Sequence, residues 1–309
     1  MTAAAALALH AALMLAAAPV LAGLRAVVQA RLLGRAGPAL LQPWRDLERL
    51  LRKQPVLPET ASWLFAAAPF ACLVVAVAAA LLVPSFALGM ATAPLADLVV
   101  LAGLLAAGRF ASALAGYEGG TALGGMGASR IGVAAVCGEP ATLLVILVLA
   151  TLAGTSNLDA ISAVGLEGPR GVPWIAAGAA LAIAGFAVIG RRGQGPPLTL
   201  MHEAVALDYS GPYLAIVAYA GQLSALVSLS VLAALFLPFG IAAGGAGLLA
   251  WAVGAAAWIV KVGALGTCLA ALDAVGAGPA LARVPAVLGM ATLLAFLAAM
   301  ILFAGQGPA

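Results

Sequence analysis

Three ionisable side chains, Arg109, Glu139 and Lys261, lie inside long apolar runs, where the chemistry open to them is charge pairing and proton or ion transfer. A charge at the centre of a lipid-facing span costs roughly 2.5 to 3.5 kcal/mol, so each must face protein or water. An ionisable residue placed in this way is a candidate for an ion path, and an opposite charge is its usual partner. Counting along each helix at about 1.5 Å per residue puts Glu139 roughly 13 Å deep, Arg109 roughly 12 Å and Lys261 roughly 10 Å, all measured from the same side. The expectation is a polar chamber open to one face, with Arg109 and Glu139, on sequential helices, as partners. A purely structural ion pair is the other reading of the same two residues.

Two further stretches are chemically dense. The first, Gly116 to Arg130, holds six glycines between Gly116 and Gly127, together with Glu118, and leads through Arg130 into the apolar run that carries Glu139. So much glycine gives a backbone that can turn sharply and lie close to a neighbour, and it is read as a docking and coupling loop. It lacks the Gly-x-x-x-x-Gly-Lys-Ser/Thr order of a phosphate-binding loop. The second, Arg191 to Pro212, carries His202, Glu203, Asp208 and Tyr209 after the Pro196-Pro197 break. Ala206 stands where a zinc hydrolase of the His-Glu-x-x-His type needs its second histidine. Leu200, Ala204 and Leu207 suit one apolar face of a short interfacial helix, and a solvated loop is the alternative. Cys72, Cys137 and Cys268 are scattered singly, which offers neither a disulfide framework nor paired ligands for a metal or iron-sulfur cluster. With no redox ligands of its own, the chain leaves any electron transfer to another subunit.

The elements that must position these residues are membrane helices. Of 309 residues, 65% are hydrophobic and 8% charged, with a mean hydropathy of +1.16, against about 25% charged in soluble domains. Apolar runs long enough to cross a bilayer as helices lie at Ala3 to Leu24, Ser62 to Val83, Leu95 to Ala115, Ile131 to Ala153, Val172 to Gly190, Tyr213 to Leu237, Ala243 to Thr267 and Pro285 to Phe303. The fold class is therefore all-α: a single polytopic membrane domain over residues 1–309, with about eight spans and short loops. The first run contains small residues and Pro19, as a signal peptide does, but lacks the basic segment that normally precedes one.

Basic residues set the expected orientation. Arg25, Arg31, Arg35, Arg45, Arg49, Arg52 and Lys53 fall in the first loop, and Arg130, Arg191, Arg192 and Arg283 in the other odd-numbered loops, while the even-numbered loops carry only Arg170. This asymmetry predicts cytoplasmic odd loops and both termini outside. The net charge of +3 gives no reason to expect nucleic acid. Within the first loop, Leu40, Trp44, Leu47 and Leu51 recur at helical spacing, with Arg45, Asp46, Glu48, Arg49, Arg52 and Lys53 between them. Pro43 suits a first helical turn and Pro55 a stop. Such a helix lies on anionic headgroups, carries a cytoplasmic partner on its polar face, or does both.

At these residues the chain resembles the membrane subunit shared by group 4 nickel-iron hydrogenases of the formate hydrogenlyase and hydrogenase-4 type, itself similar to the H subunit (subunit 1) of respiratory complex I. The resemblance covers most of the chain. It rests on Leu41-Gln42-Pro43 with Asp46 and Arg52-Lys53; Arg109-Phe110; Gly124-Gly125-Met126-Gly127 followed by Ser129-Arg130; Glu139-Pro140; His202-Glu203-Ala204; Asp208-Tyr209-Ser210-Gly211; Lys261; and Arg283-Val284-Pro285. What it implies is a subunit of the bacterial or archaeal cell membrane that anchors a nickel-iron large subunit and an iron-sulfur small subunit on the cytoplasmic side. It would link them to antiporter-like subunits that move protons or sodium ions. The nickel-iron centre and the iron-sulfur clusters belong to those partners, and no cofactor is expected in this chain. Arg109, Glu118, Glu139, His202, Glu203, Asp208, Lys261 and Asp273 are the candidates for coupling. Arg45, Asp46, Arg49, Arg52, Lys53, Gly124, Gly125, Gly127 and Arg130 are the candidates for docking. In complex I the matching chamber receives a quinone; the hydrogenase relatives need none, and none is assigned.

The departures from that pattern are specific. Gln54 and Ile131 stand where relatives commonly have an acid, an acid upstream of His202 is replaced by the Pro196-Pro197 region, and basic residues expected near Gly278 and Ala280 are absent, although Asp273 is kept. Fewer titratable groups weaken a complete proton path more than they weaken anchoring. A quinone-chamber subunit of a complex I-like oxidoreductase and a stand-alone secondary transporter are the alternatives. Transporters tend to show matching halves and broken helices, whereas here the halves do not match and charge gathers at one face.

Overall fold

A computed structural model describes residues 3–58, 61–167, 171–189, 201–274 and 284–305. Among them the chain is helical, with two isolated β-bridges and no strand. In order, the helices are α1 (Ala3–Leu32), α2 (Gln42–Leu51), α3 (Trp63–Leu82), a 3-10 turn at Ala93–Leu95, α4 (Leu98–Glu118), α5 (Ala122–Ala153), α6 (Leu158–Glu167), α7 (Val172–Ile189), α8 (Met201–Ala206), α9 (Gly211–Phe236), α10 (Leu248–Ala274) and α11 (Val284–Gly305). Helices α1, α3, α4, α5, α9, α10 and α11 are long and apolar enough to cross a membrane. The shorter α7 stands where the fifth span is expected. The eight expected spans thus correspond to seven long helices and one shorter one.

Local sequence explains where the helices start. Ser62 accepts a hydrogen bond from Leu64 N at 3.2 Å at the head of α3. Asp97 accepts from Val99 N at 2.7 Å at the head of α4, and Thr121 from Gly124 N at 2.9 Å at the head of α5. Each of the three satisfies a donor left open by the first helical turn. Pro43 occupies the first turn of α2, where its missing N–H costs nothing. At 32 residues, α5 is roughly 48 Å long and exceeds the roughly 30 Å hydrocarbon core.

Helices α3, α4, α5, α7 and α9 pack in sequence around a ring, α9 closing back on α3, while α11 packs outside on α5 and α7 and α10 outside on α1. The contacts are dominated by small residues: Ala76, Ala79, Ala177, Ala180, Ala291 and Ala295 are almost fully buried. Small side chains let backbones approach, which is what drives association where lipid is as apolar as the helices themselves. The turn at residues 83–97 and the link at 237–247 interlock on one face: Leu88 N donates to Ala242 O at 2.9 Å and Ala242 N to Phe86 O at 2.8 Å. Beside them, Leu158 N donates to Ala96 O at 2.7 Å and Leu98 N to Ser156 O at 2.9 Å.

The glycine-rich stretch departs from expectation. It is not a loop: Gly124, Gly125 and Gly127 lie in the first turns of α5, and only Gly119, Gly120 and Thr121 join α4 to α5. A Cβ on Gly116 would come within 2.7 Å of Gly124 O, and one on Gly124 within 2.8 Å of Gly116 O. The glycines permit a close crossing of two helices at their joined ends. Gly124 and Gly127 are buried inside the chain, and Gly125 has nothing near its missing side chain.

Candidate functional site

Arg109 on α4 and Glu139 on α5 meet across the hairpin that the glycine crossing creates. Arg109 Nη2 donates to Glu139 Oε1 at 3.3 Å. The side chains are 25% and 45% exposed, so the pair is reachable and not sealed in the core. Arg109 Nε is buried and has no hydrogen-bond partner among the described residues. A buried donor left open is expected to face a water or another acceptor.

The pair borders one cavity, and Arg109 a second. One, of about 350 Å³, runs between α4, α5, α7 and α9 and is walled chiefly by Leu, Val and Ala, with Thr142 and Ser228 as its few hydroxyls. The other, of about 100 Å³, lies between α3, α4 and α9. Its walls are mostly apolar, and Cys72, Ser112, Tyr209, Ser224 and Ser228 are among its polar groups. Arg109 and Ser228 border both spaces. The hydroxyls, the thiol and the guanidinium give this second space a few polar groups on walls that are otherwise mostly apolar. Sequence reasoning missed Ser112, Ser224 and Ser228 and read Cys72 only as an isolated thiol; the four-residue spacing of Ser224 and Ser228 on one helix was the available sign.

The segment Asp208 to Gly211 ties the ends of several helices together. Thr121 Oγ1 lies 2.8 and 2.9 Å from the two Asp208 carboxylate oxygens and donates its proton there. The Tyr209 ring stacks on Phe65 at 4.2 Å, and its hydroxyl donates to Phe65 O at 2.9 Å. Burial pushes the Tyr209 phenol well above its usual range. Ser210 Oγ accepts from Val56 N at 2.8 Å and donates to Val56 O at 3.0 Å. Gly211 has φ +53, and a Cβ there would fall 2.8 Å from Gln54 O. Glu118 accepts from Ser62 N at 3.0 Å and so joins the ends of α3 and α4. His202 and Glu203 fall in α8, which packs on α5; their side chains lie outside the described residues, as do Arg170, Arg191, Arg192, Pro196, Pro197, Gly278, Ala280 and Arg283.

Lys261 does not join Arg109 and Glu139. Its Nζ donates to Leu237 O at 2.9 Å and Phe239 O at 3.0 Å, just past the end of α9. Residue counting locates a Cα, whereas a long side chain carries its charge elsewhere. The C-terminus of a helix attracts cations, and α10 packs outside the ring. Asp273 is likewise remote from Glu139: its carboxylate pairs with Arg25 Nη2 on α1 at 3.3 Å, and both side chains are largely buried.

On α2, Leu47 is buried, whereas Arg45 and Arg49, with Arg52 and Lys53 just past its end, are exposed. Arg49 pairs with Asp46 at 3.0 Å and Arg52 with Glu48 on their own helix. Arg130 is half-buried in the third turn of α5. Sequence reasoning also missed His10 on α1. Its Nε2 lies 2.9 Å from Ala80 O and its Nδ1 2.7 Å from Ser85 Oγ. A carbonyl only accepts, so Nε2 carries the proton and the Ser85 hydroxyl donates to Nδ1.

A profile of the NADH dehydrogenase family matches residues 4–304. Formate hydrogenlyase subunit 4 of Escherichia coli (strain K12) is 32% identical over 240 residues, which cover 75% of this chain and 77% of that protein. Hydrogenase-4 component C of the same organism is 32% identical over 230 residues, covering 72% and 71%. Among solved structures, a chain from the membrane-bound sulfane sulfur reductase, an archaeal respiratory membrane complex, aligns with a TM-score of 0.74 over 96% of this chain and 99% of its own. Its 17% identity makes that a likeness of fold.

Proposed function

This chain belongs to the NADH dehydrogenase family, and we propose that it is the membrane subunit through which a hydrogenase-type redox module is anchored and coupled to ion movement. Its two curated relatives are, by name, a subunit of formate hydrogenlyase and a component of hydrogenase-4. On this reading the nickel-iron and iron-sulfur subunits, which carry the metal centres, dock on the face bearing α2 and the Asp208–Gly211 segment. That face is cytoplasmic, and the protein lies in the cell membrane beside antiporter-like subunits that translocate protons or sodium ions. No quinone is required.

The observation that carries the reading is the Arg109–Glu139 pair on the wall of the larger cavity, with Arg109 reaching the smaller one as well. It sits on a helix whose first turn is held by Asp208. Motion at the docking face is thereby transmitted along α5 toward Glu139, and Pro140 within that helix supplies a point where the hydrogen-bond ladder is interrupted.

Single and double substitutions test it. If the pair only neutralises itself, Glu139→Gln leaves the guanidinium unpaired and lowers the amount of complex, by less than a fully buried pair would because Glu139 is 45% exposed, and adding Arg109→Gln restores that amount. If Glu139 exchanges protons during turnover, Glu139→Gln assembles and keeps redox activity with an artificial acceptor, while redox-driven ion movement falls. The second result is expected. Normal assembly with undiminished ion movement overturns the coupling role, and isolation of a stable single-subunit transporter overturns the anchoring role.

A further inference from the structure

The cavity of about 350 Å³ between α4, α5, α7 and α9 is large for a protein interior, where few voids exceed a water molecule. Its polar side chains, Arg109, Glu139, Thr142 and Ser228, leave the end at Leu98, Leu149 and Leu235 without a hydrogen-bonding side chain. Gly103 and Gly185 belong to its wall, and a Cβ on either would meet nothing within 4 Å. At both positions the sequence leaves room where a side chain would have fitted.

The hollow follows from how α4 and α5 are tied. They cross closely at Gly116 and Gly124, and at their other ends Leu98 N donates to Ser156 O at 2.9 Å. Yet α5 has 32 residues and α4 has 21, a difference of roughly 16 Å, of which the chain from Gly154 to Ser156 can take back about 10 Å. Helix α5 therefore cannot run straight and flush along α4, and Pro140 interrupts its hydrogen-bond ladder between the two ties. The exposed residues of the cavity wall are Val99 and Gly103 on α4 and Leu143 on α5. The space thus opens sideways between these two helices, and not at its leucine end, where Leu98, Leu149 and Leu235 are almost fully buried. Val99 and Gly103 lie within about 8 Å of the start of α4, and Leu143 about 15 Å from the end of α5. That is the depth at which the acyl chains of one leaflet lie in a hydrocarbon core roughly 30 Å thick.

We infer that this cavity holds one acyl chain of a membrane phospholipid, which enters between α4 and α5 from the leaflet on the side of the 83–97 turn. Water needs two or more polar partners, and the leucine end offers no side chain that could serve. A partner's transmembrane helix is about 10 Å across, so less than one turn of it would fill 350 Å³. An empty apolar space that opens onto lipid forfeits dispersion contacts which a chain restores. A flexible hydrocarbon chain is narrow enough for the opening and asks nothing polar of the walls. The site stands whether or not Glu139 takes part in ion movement.

Cells fed a fatty acid with a diazirine in mid-chain build phospholipids that carry the label while the protein folds. After illumination and purification of the protein from the membrane, adducts are mapped by mass spectrometry of its peptides. Label is expected on Leu229 and Leu232 of α9, which are 1% and 7% exposed and line the cavity. It is also expected on surface residues such as Val136 and Leu147, and the adduct at Leu229 should have the mass of a phospholipid. Gly185→Leu, on the far wall, and Gly103→Leu, at the opening, should each cut the label on Leu229 and Leu232 several-fold and leave Val136 and Leu147 at native levels. Label confined to surface positions overturns the inference, whether the cavity is then empty, wet or filled by an unlabelled isoprenoid tail. An adduct of free fatty-acid mass at Leu229 does the same, as does cavity label that persists in both variants or falls in step with the surface label. Should neither variant assemble, the native map still decides, because Leu229 and Leu232 meet lipid only through the cavity.

Discussion

The Asp208 carboxylate lies over the first turn of α5, with Thr121 Oγ1 2.8 and 2.9 Å from its two oxygens. A Cβ on Gly124 would fall 2.2 Å from Asp208 Oδ2 and one on Gly119 2.9 Å from the same atom. The glycines therefore clear a space for an acid that arrives from 87 residues along the chain, at a helix N-terminus where negative charge is favoured.

Gly124→Ala should displace that carboxylate and also strain the crossing with Gly116. An inserted methyl in a packed site costs about 1 to 3 kcal/mol. The purified complex should melt earlier than native, and Thr121→Ala, which removes the hydroxyl without adding bulk, should cost less. Equal losses in the two variants would show that space at Gly124 is not the constraint.

Tyr209 gives a pH signature. Burial raises its phenol above the ordinary value of 10, so the folded protein holds that proton more tightly than the unfolded chain does. Stability from this group is complete below about pH 10, and it falls as pH rises beyond that value. Tyr209→Phe should lose about 1 kcal/mol at neutral pH with the hydrogen bond to Phe65 O, and its melting temperature should fall less steeply than native above pH 10. Parallel curves would mean that the phenol does not ionise on unfolding.

Asp97 behaves in the opposite sense. The Ser156 hydroxyl, followed by the backbone donors Val99 and Val100, holds its carboxyl below the ordinary carboxylate value. Its contribution is present above about pH 4 and is lost as pH falls further. Asp97→Ala should cost about 0.5 to 2 kcal/mol as a lost helix cap and should flatten the acid limb of the stability curve. An unchanged acid limb would remove Asp97 from the account.

Charge reversal on α2 tests the docking face. Arg45→Glu, Arg49→Glu and Arg52→Glu together keep the buried Leu47 contact, because all three side chains are exposed. The subunit should still insert, and the soluble module should be lost from the membrane, since charges at an interface act on association. Retention of the module at normal stoichiometry would place the docking surface elsewhere.

Orientation can be read by thiol labelling in intact cells, with the exposed Cys268 replaced by alanine. A cysteine at Arg49 should be protected from an impermeant reagent, whereas one at Leu95, which is 68% exposed, should react. The reverse pattern would invert the sidedness drawn from the basic loops.

The approximate set of spans, the all-helical class and the family were legible in the residues themselves, although α6 was not. Run lengths of apolar residues report local physics, the cost of leaving backbone unpaired in lipid, whereas the caps at Ser62, Asp97 and Thr121 emerged only in the structure. The amphipathic period of α2 was legible as the run lengths were, and the motif resemblance reached the NADH dehydrogenase family now matched over residues 4–304. Depth counting brought Arg109 toward Glu139 because short connections keep sequential helices adjacent.

Tertiary structure alone decided the rest. Glycine suits both a turn and a close helix crossing, and only the approach of Gly116, Gly124 and Asp208 chose the crossing. The charged heads of Lys261 and Asp273 went to Leu237 and Arg25, and the imidazole of His10 to Ser85 and Ala80. A polar side chain inside a membrane takes whatever partner its stem can reach, and that partner is set by how helices distant in sequence pack together.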